Sequence, residues 1–483
     1  MNKLYPLRTP LRTGFTVLLL LFFLAPTLRA QDASSAEGAP YSMDQSIAYA
    51  LRNHKSIKNA RFDTYIAQKR VKELRAVGLP QVSLNASYTN YLELPVSVID
   101  IRNFALDPSA PPIPEGLPDS IYFQTANFGL THTAQLTGQV TQLLFDGTFF
   151  VGLKAAKEYV NLSTIAEART KEETAVNVAK AYYSALVNEE RARLLNTNLK
   201  RLDDLRATTQ ALYEQGFAEK VDVDRLTIQL NNLKVEKQKI DQMVELGYDL
   251  LKFQMGMPIE QEIYLTDRIE GEEDIELSET AELDEDMAEN RIEMELLRQR
   301  ISLQELNIKR YKSGIFGSLA AFGTAQYLTA RPRFFSLETD PNWFRTSFFG
   351  LQYSVTLFDG LQKRALVEQS ELEIQKARND MDMFEEAVKM EVRNAVTSLD
   401  NAYMDVQNAK RNLELSQEVY RISTTKYEEG VGSNLEVIDA EGTLMESQIN
   451  FLAALYDYSL AKVELRRLMG EFNPNQNPKL NNN

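Results

Sequence analysis

Between Gly360 and Gly430 the chain runs for 69 residues without a glycine or a proline. These are the residues that most readily end a helix, so one continuous helix of about 100 Å is expected, at roughly 1.5 Å per residue. Its apolar residues keep to a narrow stripe. Val392, Leu399, Val406, Leu413 and Tyr420 recur every seven residues, with Ala395, Ala402, Ala409 and Ser416 three positions further on. Such a seam, with small residues allowing close approach, is coiled-coil-like. A helix of this length cannot close into a globule and must lie against partners along its course. Thr148 to Gln215 has the same character in a softer form, and no proline occurs between Pro118 and Pro258.

The chain is also written twice. Leu144-Phe145-Asp146-Gly147 returns as Leu357-Phe358-Asp359-Gly360, Tyr213-Glu214-Gln215-Gly216 as Tyr427-Glu428-Glu429-Gly430, and Met255-Gly256 as Met469-Gly470, at offsets of 213 or 214. Asn53 matches Asn290 at a larger offset, 237, so the extra residues fall early in the first half. They coincide with the proline-rich stretch Asp107 to Asp119, which suits a loop. The expected organisation is a first repeat over 31–257, with a short helix, strands within 81–145 and a helical hairpin over 146–255. An acidic linker follows over 258–290. A second repeat covers 291–470, with a short helix, strands within 318–358 and a hairpin over 361–470, before a tail over 471–483. Ser42 and Gln45 are spaced as a capping box for the first short helix, which ends near Gly78-Leu79-Pro80. Gly216 and Gly430 stand where helix ends favour a left-handed residue and mark the hairpin turns.

Between short and long helices the apolar period drops to two. Val82, Leu84, Ala86 and Tyr88 alternate with Ser83, Asn85, Ser87 and Thr89, and Ala134, Leu136 and Val140 with Thr133, Gln135, Thr137, Gln139 and Thr141. Phe349, Leu351, Tyr353, Val355 and Leu357 alternate with Gly350, Gln352, Ser354 and Thr356, while Leu319 to Leu328 is the weakest of the four. One face is apolar and the other is hydroxyl and amide. Aromatics near the strand ends (Tyr88, Tyr91, Tyr122, Phe123, Trp343, Phe344) suit a membrane girdle. Four strands cannot close a barrel, and open edges cannot sit in lipid. A membrane location therefore requires several chains to share one barrel.

Composition excludes much else. With 53 Lys+Arg against 68 Asp+Glu the net charge is −15, and no basic run appears, so nucleic acid is not an expected partner. The absence of cysteine removes thiol chemistry and thiolate metal sites, and two histidines 78 residues apart offer little more. No phosphate loop or metal cluster is visible. No catalytic residue, metal or cofactor is expected. At the N-terminus Lys3, Arg8 and Arg12 precede the apolar stretch Phe15 to Ala25, too short to span a bilayer. With Ala30 at the cleavage position, residues 1–30 read as a cleaved signal peptide, the alternative being an uncleaved anchor.

The doubled LFDG junction, the doubled YE-x-G tip and the segment Tyr427 to Met469 resemble the TolC family of outer-membrane efflux channels, over nearly the whole mature chain. The resemblance implies a mainly α fold with a transmembrane β-barrel. Four strands from each of three chains would form a 12-stranded barrel above an α-barrel of long hairpins in the periplasm of a Gram-negative bacterium. It implies an exit duct of a tripartite efflux or type I secretion system. The partners would be a homotrimer, outer-membrane lipid, a periplasmic adaptor (membrane fusion) protein and an inner-membrane pump, proton-driven or ABC type. A structural coiled-coil envelope protein without a pore and an envelope glycosidase are the rival readings. The first leaves the alternating strands and doubled junctions unexplained, and the second finds no carboxylate pair in an expected cleft.

In the family the periplasmic end closes at the hairpin tips. By resemblance the gate maps onto Asp222, Tyr427, Glu436 and Asp439, the adaptor-contacting turns onto Gly216, Phe217, Gly430 and Val431, and the barrel-to-helix junctions onto Asp146, Gly147, Asp359 and Gly360. Glu436 and Asp439 are three apart and share a helix face, although Ser433 to Glu436 also has capping-box spacing. A tip arginine of the family is replaced by Gly432, and Lys220 or Arg225 is the candidate substitute. The family's Asn-Pro in the opening helix is here Asn53-His54, with His54 expected as a solvated helix residue. Eleven acids and no base lie between Ile269 and Asn290. A solvated linker and a cation site are the two readings of that run.

Overall fold

The computed structural model describes residues 39–100, 116, 118, 123–127, 129–269, 287–331 and 343–474. The expected signal peptide, most of the proline-rich stretch, most of the acidic run and the end of the tail lie outside the described residues.

The helices dominate. After a short strand β1 (Ala39–Tyr41) come α1 (Met43–Asn53) and α2 (Lys55–Val77). The long helix α3 (Gly147–Glu214) is followed by α4 (Lys220–Met255), and after α5 (Ile292–Ser313) the pattern returns in α6 (Gln362–Glu428) and α7 (Asn434–Leu468). Helix α3 has 68 residues and α6 has 67, so the unbroken helix expected from the missing Gly and Pro is present. Helix α3 packs against α1, α2, α4, α5 and α7, and α6 packs against α5 and α7.

The expected single opening helix is two helices. Ser42 and Gln45 form the capping box of α1, but His54 breaks the run with φ −60° and ψ 133°. It is the last cap of α1 and the first cap of α2, its Nδ1 accepting from the Ser56 amide at 3.3 Å. Burial holds the imidazole pKa below its ordinary value, which keeps Nδ1 free to accept. His54 is thus a structural break, not the solvated helix residue expected. Its backbone lies against Gly256, the left-handed cap of α4, where a Cβ would come within 2.8 Å of the His54 Cα.

The central core collects at this level. Ile47, Ala50, Leu51 and Ile57 pack on Ala175, Ala179 and Tyr182 of α3, with Leu251 and Met255 of α4. The Tyr182 hydroxyl, fully buried, donates to the Tyr41 carbonyl at 3.1 Å. Strand β1 pairs in parallel with β6 (Ile263–Leu265), a small clip whose strands, at three residues each, are too short to show as alternation in the sequence.

The main sheet has four antiparallel strands in the order β2 (Gln81–Asn90), β5 (His132–Asp146), β7 (Ser318–Arg331), β8 (Phe344–Ser354). A separate hairpin, β3 (Val96–Asp100) with β4 (Phe123–Asn127), is an addition to the expected strands. Register places Leu84 opposite Gly138, Gly138 opposite Ala325, and Val82 opposite Val140 on one face. That apolar face is uncovered: Val82 is 77% exposed, Leu84 73% and Phe349 91%. The other face carries Ser83, Asn85, Thr137, Gln139, Thr324 and Gln326, as expected, but also Phe322 and Phe348. Their rings meet edge to face at 6.2 Å, and the Phe322 ring covers the space where Gly350 lacks a Cβ. The polar face is therefore not uniformly hydroxyl and amide in the second half.

The two LFDG junctions differ. At the first, β5 runs straight into α3, and the Asp146 carboxylate accepts from the amides of Thr148 at 2.7 Å and Phe149 at 3.1 Å. At the second, pairing stops at Ser354, short of the Leu357 expected from the alternation. Among the described residues strand β8 has a neighbour on one side only, and Leu357 and Phe358 stand exposed. The glycines also act differently. A Cβ on Gly147 would lie 2.7 Å from the Ser313 carbonyl oxygen, whereas Gly360 has φ +66° and open space around it. Gly147→Ala is expected to cost about 3 kcal/mol through backbone overlap, and Gly360→Ala only about 1–2 kcal/mol of left-handed strain. Thermal melts of the two variants in detergent check the order.

Candidate functional site at the hairpin tips

The hairpins turn over residues 215–219 and 429–433. Both turns close in the same way because both long helices end on a left-handed glycine. Gly216 (φ 81°) and Gly430 (φ 75°) donate to the Tyr213 and Tyr427 carbonyls, and the next amides, Phe217 and Val431, reach back to Leu212 and Lys426. This double bond pattern satisfies carbonyls that a helix end leaves open. Phe217 and Val431 are about four-fifths exposed, two apolar residues presented at the extreme end of the molecule.

On α7, Ser433 caps the helix by accepting from the Glu436 amide at 3.2 Å. The capping box is only half made, since the Glu436 carboxylate is exposed. Glu436 and Asp439 sit on the exposed side of the helix, together with Thr443 and Glu446, while Val437, Ile438, Ala440 and Leu444 are buried. The two candidate carboxylates therefore share one open face.

Tyr427 and Asp222 are not brought together. The Tyr427 hydroxyl lies 3.2 Å from the buried hydroxyl of Thr209 on α3, a half-buried contact that joins the second hairpin to the first. Asp222 stays local: its Oδ2 accepts from the Glu219 amide at 3.3 Å, and its Oδ1 lies 3.9 Å from Arg225. Arg225 is thus spent on the first turn of α4. The missing tip arginine has a steric reason. A Cβ at Gly432 would press within 2.9 Å of the Lys426 Cβ and 3.0 Å of the Tyr427 amide, so no side chain fits this turn.

The sequence reading missed the polar groups in the seam between the hairpins. Asn198 of α3 donates to Gln448 of α7 at 3.1 Å. Three residues on, Arg201 lies 3.3 Å from Glu441 of α7 and over the ring of Tyr420 of α6. The signal was present, for Asn198 falls between Leu195 and Leu202 on the buried stripe, and Glu441 between Val437 and Leu444 on theirs. A polar residue at a seam position is the mark to look for.

No group of side chains among the described residues could hold a metal ion. No helix among them is long and apolar enough to cross a membrane.

The outer membrane efflux protein family matches this chain over residues 47–242 and 318–471, most of both halves. The alkaline protease secretion protein AprF of Pseudomonas aeruginosa is 21% identical over 69% of this chain and 69% of its own length. The outer membrane protein TolC of Vibrio cholerae is 22% identical over 68% of this chain and 75% of its own. Among solved structures, the Campylobacter jejuni CmeC outer membrane channel superposes with a TM-score of 0.66 at 14% identity, covering 91% of this chain and 89% of that one. The chain belongs to the outer membrane efflux protein family, whose members, TolC among them, are channels of the outer membrane and not enzymes.

Proposed function

We propose that this protein is the exit duct of a tripartite efflux or secretion machine, a homotrimer whose three four-stranded sheets close into one 12-stranded barrel. The observation that carries this is a sheet with one uncovered apolar face and, among the described residues, two unpaired edges, β2 and β8, set at the head of two helices of about 100 Å. Unpaired strand edges are not tolerated in lipid, and joining β8 of one copy to β2 of the next removes them all. Tyr88, Tyr327 and Arg345, whose guanidinium lies 5.9 Å from the Tyr327 ring centre, then form the rim of the lipid-facing band. The matched lengths of α3 and α6, and of α4 and α7, support an internal duplication, so that three chains offer six hairpins around one axis.

The duct is passive in this reading, its energy coming from an inner-membrane pump reached through a periplasmic adaptor at Phe217 and Val431. Glu436 and Asp439 line the narrow end, and Tyr427, tied to Thr209, restrains the second hairpin. Asp222 contributes by holding the first turn of α4. The family is described by efflux and AprF is named for secretion of a protease, so the cargo is set by the pump rather than by this chain. The test is extraction of the full protein from the outer-membrane fraction, native mass in detergent, and conductance in planar bilayers. A trimer with ion-conducting activity is expected; a detergent-independent monomer overturns the proposal.

A further inference from the structure

Glu441 is a carboxylate buried in the seam between the two hairpins, 6% exposed. Arg201 of α3 lies beside it at 3.3 Å, yet neither carboxylate oxygen receives an aligned hydrogen bond. The contact is an ion pair with its hydrogen-bonding capacity unfilled. Arg201 has other partners, the Asn198 side-chain oxygen and the face of Tyr420 at 5.5 Å. From α6 the titratable neighbours are Tyr420 and, beyond it, Glu428. From α4, Glu236 lines the same cavity of about 310 Å³, whose walls include Leu195, Leu233 and Met445. One cation thus faces a carboxylate set in mostly apolar surroundings, with Glu236 of α4 lining the same cavity.

An anion buried without its hydrogen bonds is disfavoured, and hydration relieves it. A seam that parts would expose Glu441 to water; a seam that closes favours its neutral form. We propose that Arg201 and Glu441 form a proton-sensitive clamp between the hairpins, which grips when Glu441 is neutral and is poised to part when Glu441 is ionised. Burial raises the Glu441 pKa from its ordinary 4.5 to about 6. Raised in the closed state, it contributes closure that is complete below pH 4.5 and lost as pH rises through 6. The closed-to-parted ratio then changes by up to about 30-fold per chain across that interval. Protonation does not strand Arg201, because Asn198 and Tyr420 remain.

The clamp rests on reading the hairpin tips as a gate, so the experiment uses two readouts. The full chain contains no cysteine, and spin labels at Asn196→Cys and Glu446→Cys, exposed positions on α3 and α7, report the seam alone. Conductance in planar bilayers reports the gate. In the otherwise unaltered protein the closed-distance population is expected to fall between pH 4.5 and 7.5. In Glu441→Gln, neutral and of the same shape, it stays at its acid value throughout. Glu441→Leu, which removes the polar group, is the second variant, and whichever of the two folds is expected to give this flat profile. An identical pH response with and without Glu441 overturns the clamp. A seam that responds to pH through Glu441 while conductance does not follow upholds the clamp and overturns the gate.

Discussion

Neutralising the open face of α7, as Glu436→Gln with Asp439→Asn, is expected to remove most of the cation preference of the reconstituted channel. Both carboxylates are exposed and three residues apart, so three chains would place six negative charges around one narrow opening. A constriction lined by one sign of charge concentrates the opposite ion roughly tenfold or more, and that enrichment should be lost. The effect is steepest at low salt, because the screening length is about 10 Å at 0.1 M. Folding should be untouched to within about 0.5 kcal/mol, since Ser433 caps α7 through the Glu436 amide and not through its side chain. Reversal potentials in a salt gradient give the answer. Unchanged selectivity and conductance would take both residues off the pore wall and leave Glu436 as an ordinary first-turn acid.

The second large effect belongs to Gly317, between α5 and β7. Its φ of 63° with ψ −164° lies in a region that essentially only glycine enters. A Cβ there would come within 2.3 Å of the Ser354 carbonyl oxygen, at the last paired residue of β8. Neither partner can move, for both are backbone of the strand pair that forms one side of the sheet. Gly317→Ala is expected to cost more than about 3 kcal/mol and to abolish the proposed trimer, read by native electrophoresis of the membrane extract. Gly323→Ala, six residues on within β7 and with open space around its Cβ, is the control. It should assemble normally, gaining slightly from a less flexible unfolded chain. Equal yields of the two would overturn the steric argument.

Helices, strands and turns were legible in the sequence where a local rule decides them. The long helix followed from 69 residues free of Gly and Pro, and the hairpin turns from glycines at helix ends. Strand alternation showed as far as neighbours supported it. At the free edge, Val355 to Phe358 carry the pattern of a strand without being one, because an edge has no second ladder to hold it. Phe322 and Phe348 broke the polar face for the opposite reason. They pack on each other and over Gly350 across strands, contacts that alternation along a single strand does not encode.

What the sequence by itself determined is the long helices, the main strands and their doubled order, since periodicity, caps and breakers act within a few residues along the chain. Which groups face one another was decided only in three dimensions. His54 breaks a helix without proline because the cap of α4 is lodged against its backbone. Tyr427 meets Thr209 rather than Asp222, and Glu441 meets Arg201 240 positions away, because helices of this length bring distant residues level by packing. Burial then made the difference between a surface acid and a proton-sensitive one, a property of the seam and not of either helix.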